Sequence, residues 1–559
     1  MKISKVFESY RKRLKPPYNR KALLIIIALL LIALIIPLNI LLFSHAGKSP
    51  ATPISTVKNT AQPTSASTST VPSPTPTSIV PTPQATPTST APTYADYAGQ
   101  AIKNMLNDFY IDGLWRSCMS GCAAQNTDWG ADSMTYTLFL RWEINHHDPS
   151  VIPYLQTLAQ TAPTWQSPCQ SIYGCRQPWS DQPLWDSIAL GDEYEATGST
   201  NSNILYKEQA AFNVVDGAAP SIFLSGACPS IRYQQPGGGA NQVKTLETDS
   251  NYIKAALLLY HHTNNVAYLN KAKAEYAAVR HYFLDPKLPL YTVYVFDNGA
   301  SCSQAPGRFF ASVNGNMIDN GLQLAQYTGD PTYRNDAIAT AQAVANNLSD
   351  ANGVFTDMQA ENDIVEPLIE AMYNVATAEN QPFAWWWIVD AASASASSLK
   401  SDGAYSRFFD GPPQVGTSSE WQSNGGYALA IAAAGVNPAG VPTKTTAWAN
   451  ARTYSTSITT GSLPSSITFT GTGIALIGTL GELCCEPGHV RVFIDGVEVV
   501  DKTGIWQGKS SPGFAIPDTV LFAWRWPTAG KHTIQIQPGI YDSKEGGSFV
   551  DITSYMVAP

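Results

Sequence analysis

Between about residue 94 and residue 435 apolar side chains recur three and four positions apart, without sustained alternation, which predicts a run of helices. A hinge recurs along this stretch: Tyr194-Glu-Ala-Thr-Gly198, Tyr260-His-His-Thr-Asn264 and Tyr327-Thr-Gly-Asp-Pro331. Its threonines, Thr197, Thr263 and Thr328, lie 66 and 65 residues apart, and an alanine-rich helical segment follows each. Weaker copies are Asn145-His-His-Asp-Pro149 and Thr377-Ala-Glu-Asn380, and a sixth pair is completed by residues 391–399 and 426–434. A period this long means stacked helical pairs, in an open solenoid or a closed toroid. Six pairs fit an (α/α)6 toroid. After residue 440 the pattern changes to alternation, as in Val490-Arg-Val-Phe-Ile494, with Asp495-Gly496 as a hairpin turn. About eight short strands in residues 441–559 predict an all-β, jelly-roll-type sandwich.

The N-terminal part reads differently. Residues 1–21 carry eight Lys and Arg against Glu8, and residues 22–43 are an almost unbroken Leu/Ile run long enough to cross a bilayer. Positive charge on the near side predicts a basic cytoplasmic tail, a single-pass transmembrane helix and export of everything beyond it. Ser44-His45-Ala46 offers a cleavage-like site, in which case the chain is secreted. Residues 44–93, rich in Ser, Thr and Pro, read as an extended stalk that cannot bury a core. Residues 94–440 and 441–559 are then the two folded domains.

Charge and cysteine content narrow the classes. A net charge of −9 with 14% charged residues argues against nucleic acid as a partner. Eight cysteines suit an oxidising compartment, with Cys118–Cys122, Cys169–Cys175 and Cys228–Cys302 as plausible pairs and Cys484–Cys485 as a vicinal one. Cys118-x-x-x-Cys122 has no matching His/Cys pair at finger spacing, so no metal and no cofactor is expected. The chain is expected to be a monomer, with the membrane as one partner.

The candidate chemistry gathers at starts of predicted helices. Ser180 and Asp181 stand where N-caps stand, and Trp185 follows Asp181 by four residues, so both project from one side of a helix mouth. An ordinary capped helix reads the same way. Asp128 and Asp132 flank Trp129 at another such start, and Glu247 and Asp249 open a third. Long polar, aromatic-rich segments (165–179, 225–244, 291–313, 402–421) precede these helices, whereas the hinge connections are short. Lengthened loops on one side are where clefts are built. Trp115, Trp165, Trp179 and Trp421 are further candidates for stacking on sugar faces, and several of these aromatics must serve as core.

Asp181-Gln-Pro-Leu-Trp185 with the first hinge, Lys244-Thr-Leu-Glu-Thr-Asp-Ser-Asn251, and Val313-Asn-Gly-Asn-Met-Ile-Asp-Asn-Gly-Leu322 before the third hinge resemble, in that order, glycoside hydrolase family 76. The resemblance covers about residues 94–435. It implies an (α/α)6 toroid and a retaining endo-α-1,6-mannanase activity that uses two adjacent aspartates, a nucleophile and an acid/base. On this sequence Asp181 falls on the first aspartate, as nucleophile, and Gln182 on the second. An amide cannot titrate. Either the register shifts by one, or another helix supplies the second carboxylate (Asp132 and Asp249 foremost, with Asp128, Asp186, Glu247 and Asp319), or the chain binds glycan without cleaving it. The resemblance adds Asn314 and Asn316 to Trp129, Asp128, Gln182, Trp185, Glu247 and Trp179 as residues that would contact substrate. An (α/α)6 enzyme acting on uronic-acid glycans would want a basic cleft, for which Arg176, Arg232 and Arg308 are the few candidates. Phe469-Thr-Gly-Thr-Gly-Ile-Ala-Leu-Ile-Gly478, Phe493-Ile-Asp-Gly-Val497 and Ala529-Gly-Lys-His-Thr-Ile534 resemble galactose-binding-like modules, implying an accessory sugar-binding role with Trp506, Trp524 and Trp526 as candidate contacts. A ligand-free spacer is the alternative.

Overall fold

The structure, a computed structural model, describes residues 91–559 apart from 117–118, 120–123, 126–128, 146, 167–179, 239–241, 306, 357–364, 414–419, 481–488, 500–504, 507–515 and 539–549. The tail, membrane span and most of the stalk therefore lie outside the described residues, as do Cys118, Cys122, Cys169, Cys175, Cys484 and Cys485.

Among the described residues, twelve helices of ten residues or more follow one another: α1 Tyr94–Phe109, α2 Trp129–Ile144, α3 Ile152–Thr161, α4 Gln182–Ala196, α5 Ser202–Asp216, α6 Leu246–Thr263, α7 Val266–Phe283, α8 Ala311–Thr328, α9 Pro331–Asn347, α10 Glu366–Thr377, α11 Pro382–Ser397 and α12 Glu420–Val436. The even-numbered helices pack each on the next, and α12 returns to α2, so they close an inner ring; the odd-numbered ones pack outside it. Exposure separates the rings. All of α4 but Glu195 is buried, whereas α7 and α9 bury only one stripe. This is the six-pair toroid that the hinge count predicts.

The hinge has a physical explanation. Thr197, Thr263 and Thr328 each donate Oγ1 to the carbonyl four residues back, on Glu193, Leu259 and Leu324. The next residue, Gly198, Asn264 or Gly329, turns left-handed at φ 89°, 53° or 72°. Asn201, Asn265 and Asp330 then cap the outgoing outer helix through the backbone N–H two residues on. Each hinge thus ends an inner helix and starts an outer one. All inner-helix N-termini consequently share the opposite face, reached through the long connections.

The inner ring is held by close approach and by charge. A Cβ at Gly315 of α8 would stand 2.3 Å from the Leu368 backbone N of α10, so only glycine fits there. In mid-ring, Lys254 of α6 donates to Tyr136 of α2 (2.6 Å), Asp319 of α8 (3.1 Å) and Glu370 of α10 (2.7 Å). Lys254 thereby ion-pairs with both Asp319 and Glu370, and burial pushes the Glu370 carboxyl up to about 8. Of the expected disulfides, Cys228–Cys302 is formed.

Among the described residues, short strands β1 Tyr110–Ile111, β2 Leu114–Arg116 and β3 Ala124–Gln125 make one small sheet, and β4 Val243–Thr245, β5 Tyr294–Asp297 and β6 Cys302–Gln304 another. Strands β7 Arg452–Thr459, β8 Ser465–Leu480, β9 His489–Ile494, β10 Val497–Glu498, β11 Ile505–Trp506, β12 Ile516–Pro538 and β13 Asp551–Ala558 form a seven-stranded sheet in the order β10-β9-β12-β8-β13-β7, with β11 also on β9. Eight short strands were the expectation. Instead β8 (Ser465–Leu480) and β12 (Ile516–Pro538) run on through 16 and 23 residues, pairing on both sides of a register break between Arg525 and Gly530. Residues before and after that break, Ile467 and Phe469 with Ile474 and Leu476, belong to one core, as in sheets whose strands change layers at a bulge. A Cβ at Gly478 would meet the Asp551 carbonyl at 1.9 Å, which is why β13 can lie so close.

This sheet is not tethered loosely. Phe408, from the connection before α12, is buried in the sheet's core against Phe522. Arg525 of β12 donates to Asp410 at 2.6 Å through its guanidinium and to Asp350 at 3.2 Å through its backbone N–H. Trp448 Nε1 donates to the Asp410 carbonyl at 2.9 Å.

Candidate active site

Helix α4 begins beneath the mouth-side connections. Ser180 is turned away from the helix: its Oγ meets the Tyr233 and Gln234 carbonyls (3.0 and 3.2 Å) and Thr248 Oγ1 of α6 (2.9 Å). Asp181 occupies the N-cap position with helical dihedrals and makes no side-chain cap. The ordinary structural role for an aspartate at this position is therefore not the one it fills. Its carboxyl is 6% exposed, and Oδ1 has no hydrogen-bond partner among the described residues. Burial pushes it up to about 6, against the pull of the Asp181 and Gln182 backbone N–H groups. An uncommitted carboxyl held near neutrality at a helix start is expensive to keep, and that cost is characteristic of groups that move protons.

Gln182 Nε2 donates to Asp132 Oδ2 on α2 and to Asp186 Oδ1 one turn on, both at 3.2 Å. The Trp165 indole N–H reaches Asp186 Oδ2 from the mouth side. Trp185, expected as an exposed aromatic plate, is instead 1% exposed and points its Nε1 at Glu247 Oε1 of α6, 3.4 Å away. Carboxylates of α2, α4 and α6 thereby converge on the first turn of α4. Between α2, α3 and α4 lies a small, partly open pocket of about 10 Å³ touched by Asp132, Asp186 and Glu193, room for one water.

Other candidates sit apart from this group. Asp249 is fully buried and accepts from the Arg232 backbone N–H at 3.0 Å, while the Arg232 guanidinium bridges to Glu275 at 2.5 Å. Burial and the adjacent Glu275 push the Asp249 carboxyl upward. The trio fastens the 225–238 connection to α6 and α7, and Arg232 also covers the Tyr252 ring at 3.5 Å. Asn314 serves the backbone, accepting from Tyr291 N at 2.9 Å and donating to the Tyr291 and Phe310 carbonyls. Asn316 donates to Asn251 Oδ1 at 2.6 Å between α8 and α6, with no solvent exposure. Asp319 is taken by Lys254. Asp128 and Trp179 lie outside the described residues, and Trp129 is placed only as the first residue of α2. Glu366, fully buried in the first turn of α10, is an acid at an inner-helix start that the motif reading passed over. Glu366-Pro367 at a helix start is the signal that could have found it.

No profile of a known family and no curated protein matches the sequence. Solved structures do match the fold. An inactive variant of the α-1,6-mannanase of Salegentibacter sp. HEL1_6, with two consecutive aspartates replaced by asparagine and α-1,6-mannotriose bound, aligns over 61% of this chain and 99% of its own, at 16% identity and TM-score 0.52. The family 76 α-mannanase of Bacteroides thetaiotaomicron aligns over 62% and 96%, at 17% identity and TM-score 0.51. A second family 76 mannosidase structure from that organism aligns over 61% and 98%, at 12% identity and TM-score 0.51. The helical ring thus has the (α/α)6 fold of family 76 glycoside hydrolases.

Proposed function

We propose that the chain is a retaining glycoside hydrolase acting on α-mannan-type polysaccharide, held at the cell surface by residues 22–43. The observation that carries the reading is Asp181: buried, uncapping, with a carboxyl oxygen that meets no partner among the described residues, at the inner-helix mouth of a mannanase fold. Glycosidases of this kind need two carboxyl groups with different protonation, one to attack the anomeric carbon and one to protonate the leaving oxygen. Environment assigns the roles here. Asp181, raised toward 6 by desolvation, suits proton transfer. Asp132 accepts a hydrogen bond from the Gln182 amide, which stabilises a charged carboxylate, and suits the nucleophile. This reverses the role that motif alignment gives Asp181. Asp132 would form the glycosyl ester as Asp181 gives its proton to the departing oxygen. Asp181 would then take a proton from the incoming water as the ester is hydrolysed.

Gln182 favours a second reading, a glycan-binding protein without hydrolysis, because the neighbour inactivated at two consecutive aspartates still holds its oligosaccharide. Following the anomeric signal of products released from α-1,6-linked mannotetraose separates the readings. Release with retained configuration supports the hydrolase; binding without release supports the second.

A further inference from the structure

A cleft of about 290 Å³ lies between the helical ring and the sheet, away from the first turn of α4. Asn347, Ser349 and Thr356 line it from the connection that follows α9; Val497, Trp524 and Trp526 line it from β10 and β12. Because outer helices end on the same face where inner helices start, this cleft opens on the mouth side of the toroid.

Trp524 and Trp526 are two apart on one strand and so share a face. Arg525 between them points the opposite way, into Asp410, so the strand that carries both indoles is fastened to the helical ring. Each indole is supported from within the sheet. Trp526 stacks on His532 with centroids 3.9 Å apart, and Trp524 stacks on Phe522 at 6.2 Å. Trp524 Nε1 is buried and meets no acceptor among the described residues. Val497, at the lip, is 71% exposed. Glu498 beside it is neutralised by a two-pronged Arg491 contact at 2.6 and 2.7 Å. The cleft therefore offers aromatic surface with amide and hydroxyl groups opposite, and its one carboxylate among the described residues is paired.

We infer that this cleft binds a neutral saccharide segment, a second site for the glycan whose cleavage is proposed at the mouth. The inference rests on that reading for the identity of the sugar and not for the existence of the site. It is tested with the full chain carrying Asp181→Asn, titrated with α-1,6-linked mannotetraose by calorimetry and tryptophan fluorescence. Two binding events are expected. Trp526→Ala, and separately Ser349→Tyr, which fills the cleft from the helical wall without touching the sheet core, should each leave one event. A single event unchanged by both substitutions overturns the inference, as does absence of binding. If only the mouth reading fails, one event remains, and Trp526→Ala and Ser349→Tyr both remove it.

Discussion

Gln182 Nε2 lies 3.2 Å from Asp132 Oδ2 and 3.2 Å from Asp186 Oδ1, so one neutral amide spaces a carboxylate of α2 from one of α4. A second aspartate at this position would have added a third negative charge to a buried cluster. The amide supplies two donors to it.

Gln182→Leu removes both donors and keeps the volume. Hydrogen bonds to charged groups contribute about 1.5–3 kcal/mol each, so destabilisation by about 3–6 kcal/mol at pH 7 is expected. Chemical denaturation measures it, and a change below about 0.5 kcal/mol would mean that the bridge carries no weight.

Asp181→Asn should stabilise the protein. A carboxyl raised in the folded state stabilises fully below its unfolded value, near 3.8, and loses that contribution as pH rises through about 6. A shift of this size corresponds to roughly 3 kcal/mol. The variant should therefore melt higher than wild type at pH 7.5, with the gap closing toward pH 4. A gap that widens on acidification would show that Asp181 is stabilised as an anion.

Lys254→Met strands Asp319 among α2, α8 and α10, which should cost about 3–5 kcal/mol. Adding Asp319→Asn should recover much of that loss, because the stranded charge is then gone. A double variant as unstable as the sum of its singles would assign the effect to packing instead.

Residues 441–559 should not fold alone. Their core contains Phe408, and Arg525 is paired with Asp410, both supplied by the helical ring. Near-UV circular dichroism of that fragment should show no cooperative melt. A sharp melt would make the sheet an independent module.

Much of the ring was legible because the hinge threonines, left-handed residues and Asn/Asp caps are local devices written at fixed spacing. Of the consecutive Trp385, Trp386 and Trp387 in α11, Trp386 is 57% exposed and Trp387 is buried, as successive helical positions face different ways. The site was less so. Asp181 reads as an N-cap from sequence, and only the turned-away Ser180 and the helical dihedrals show that it caps nothing. Trp185 faces α6 and not the cleft, because the next inner helix presents Glu247 to its N–H. Which aspartates are taken by Arg232 and Lys254 depends on partners far along the chain. In the sheet, β8 and β12 run through Gly471, Pro527 and Gly530 where about eight short strands were expected, since a register break absorbs the extra residues.

The most direct test is the pH dependence of kcat/KM for α-1,6-linked mannotetraose, compared between the full chain and Asp181→Asn. A general acid must enter the first step protonated, so the wild-type value should fall tenfold per pH unit above about 6. Asp181→Asn should be slower by about 10²–10⁴ and flat across that limb. No cleavage by the wild type, or an Asp181→Asn profile that matches it, would contradict the account.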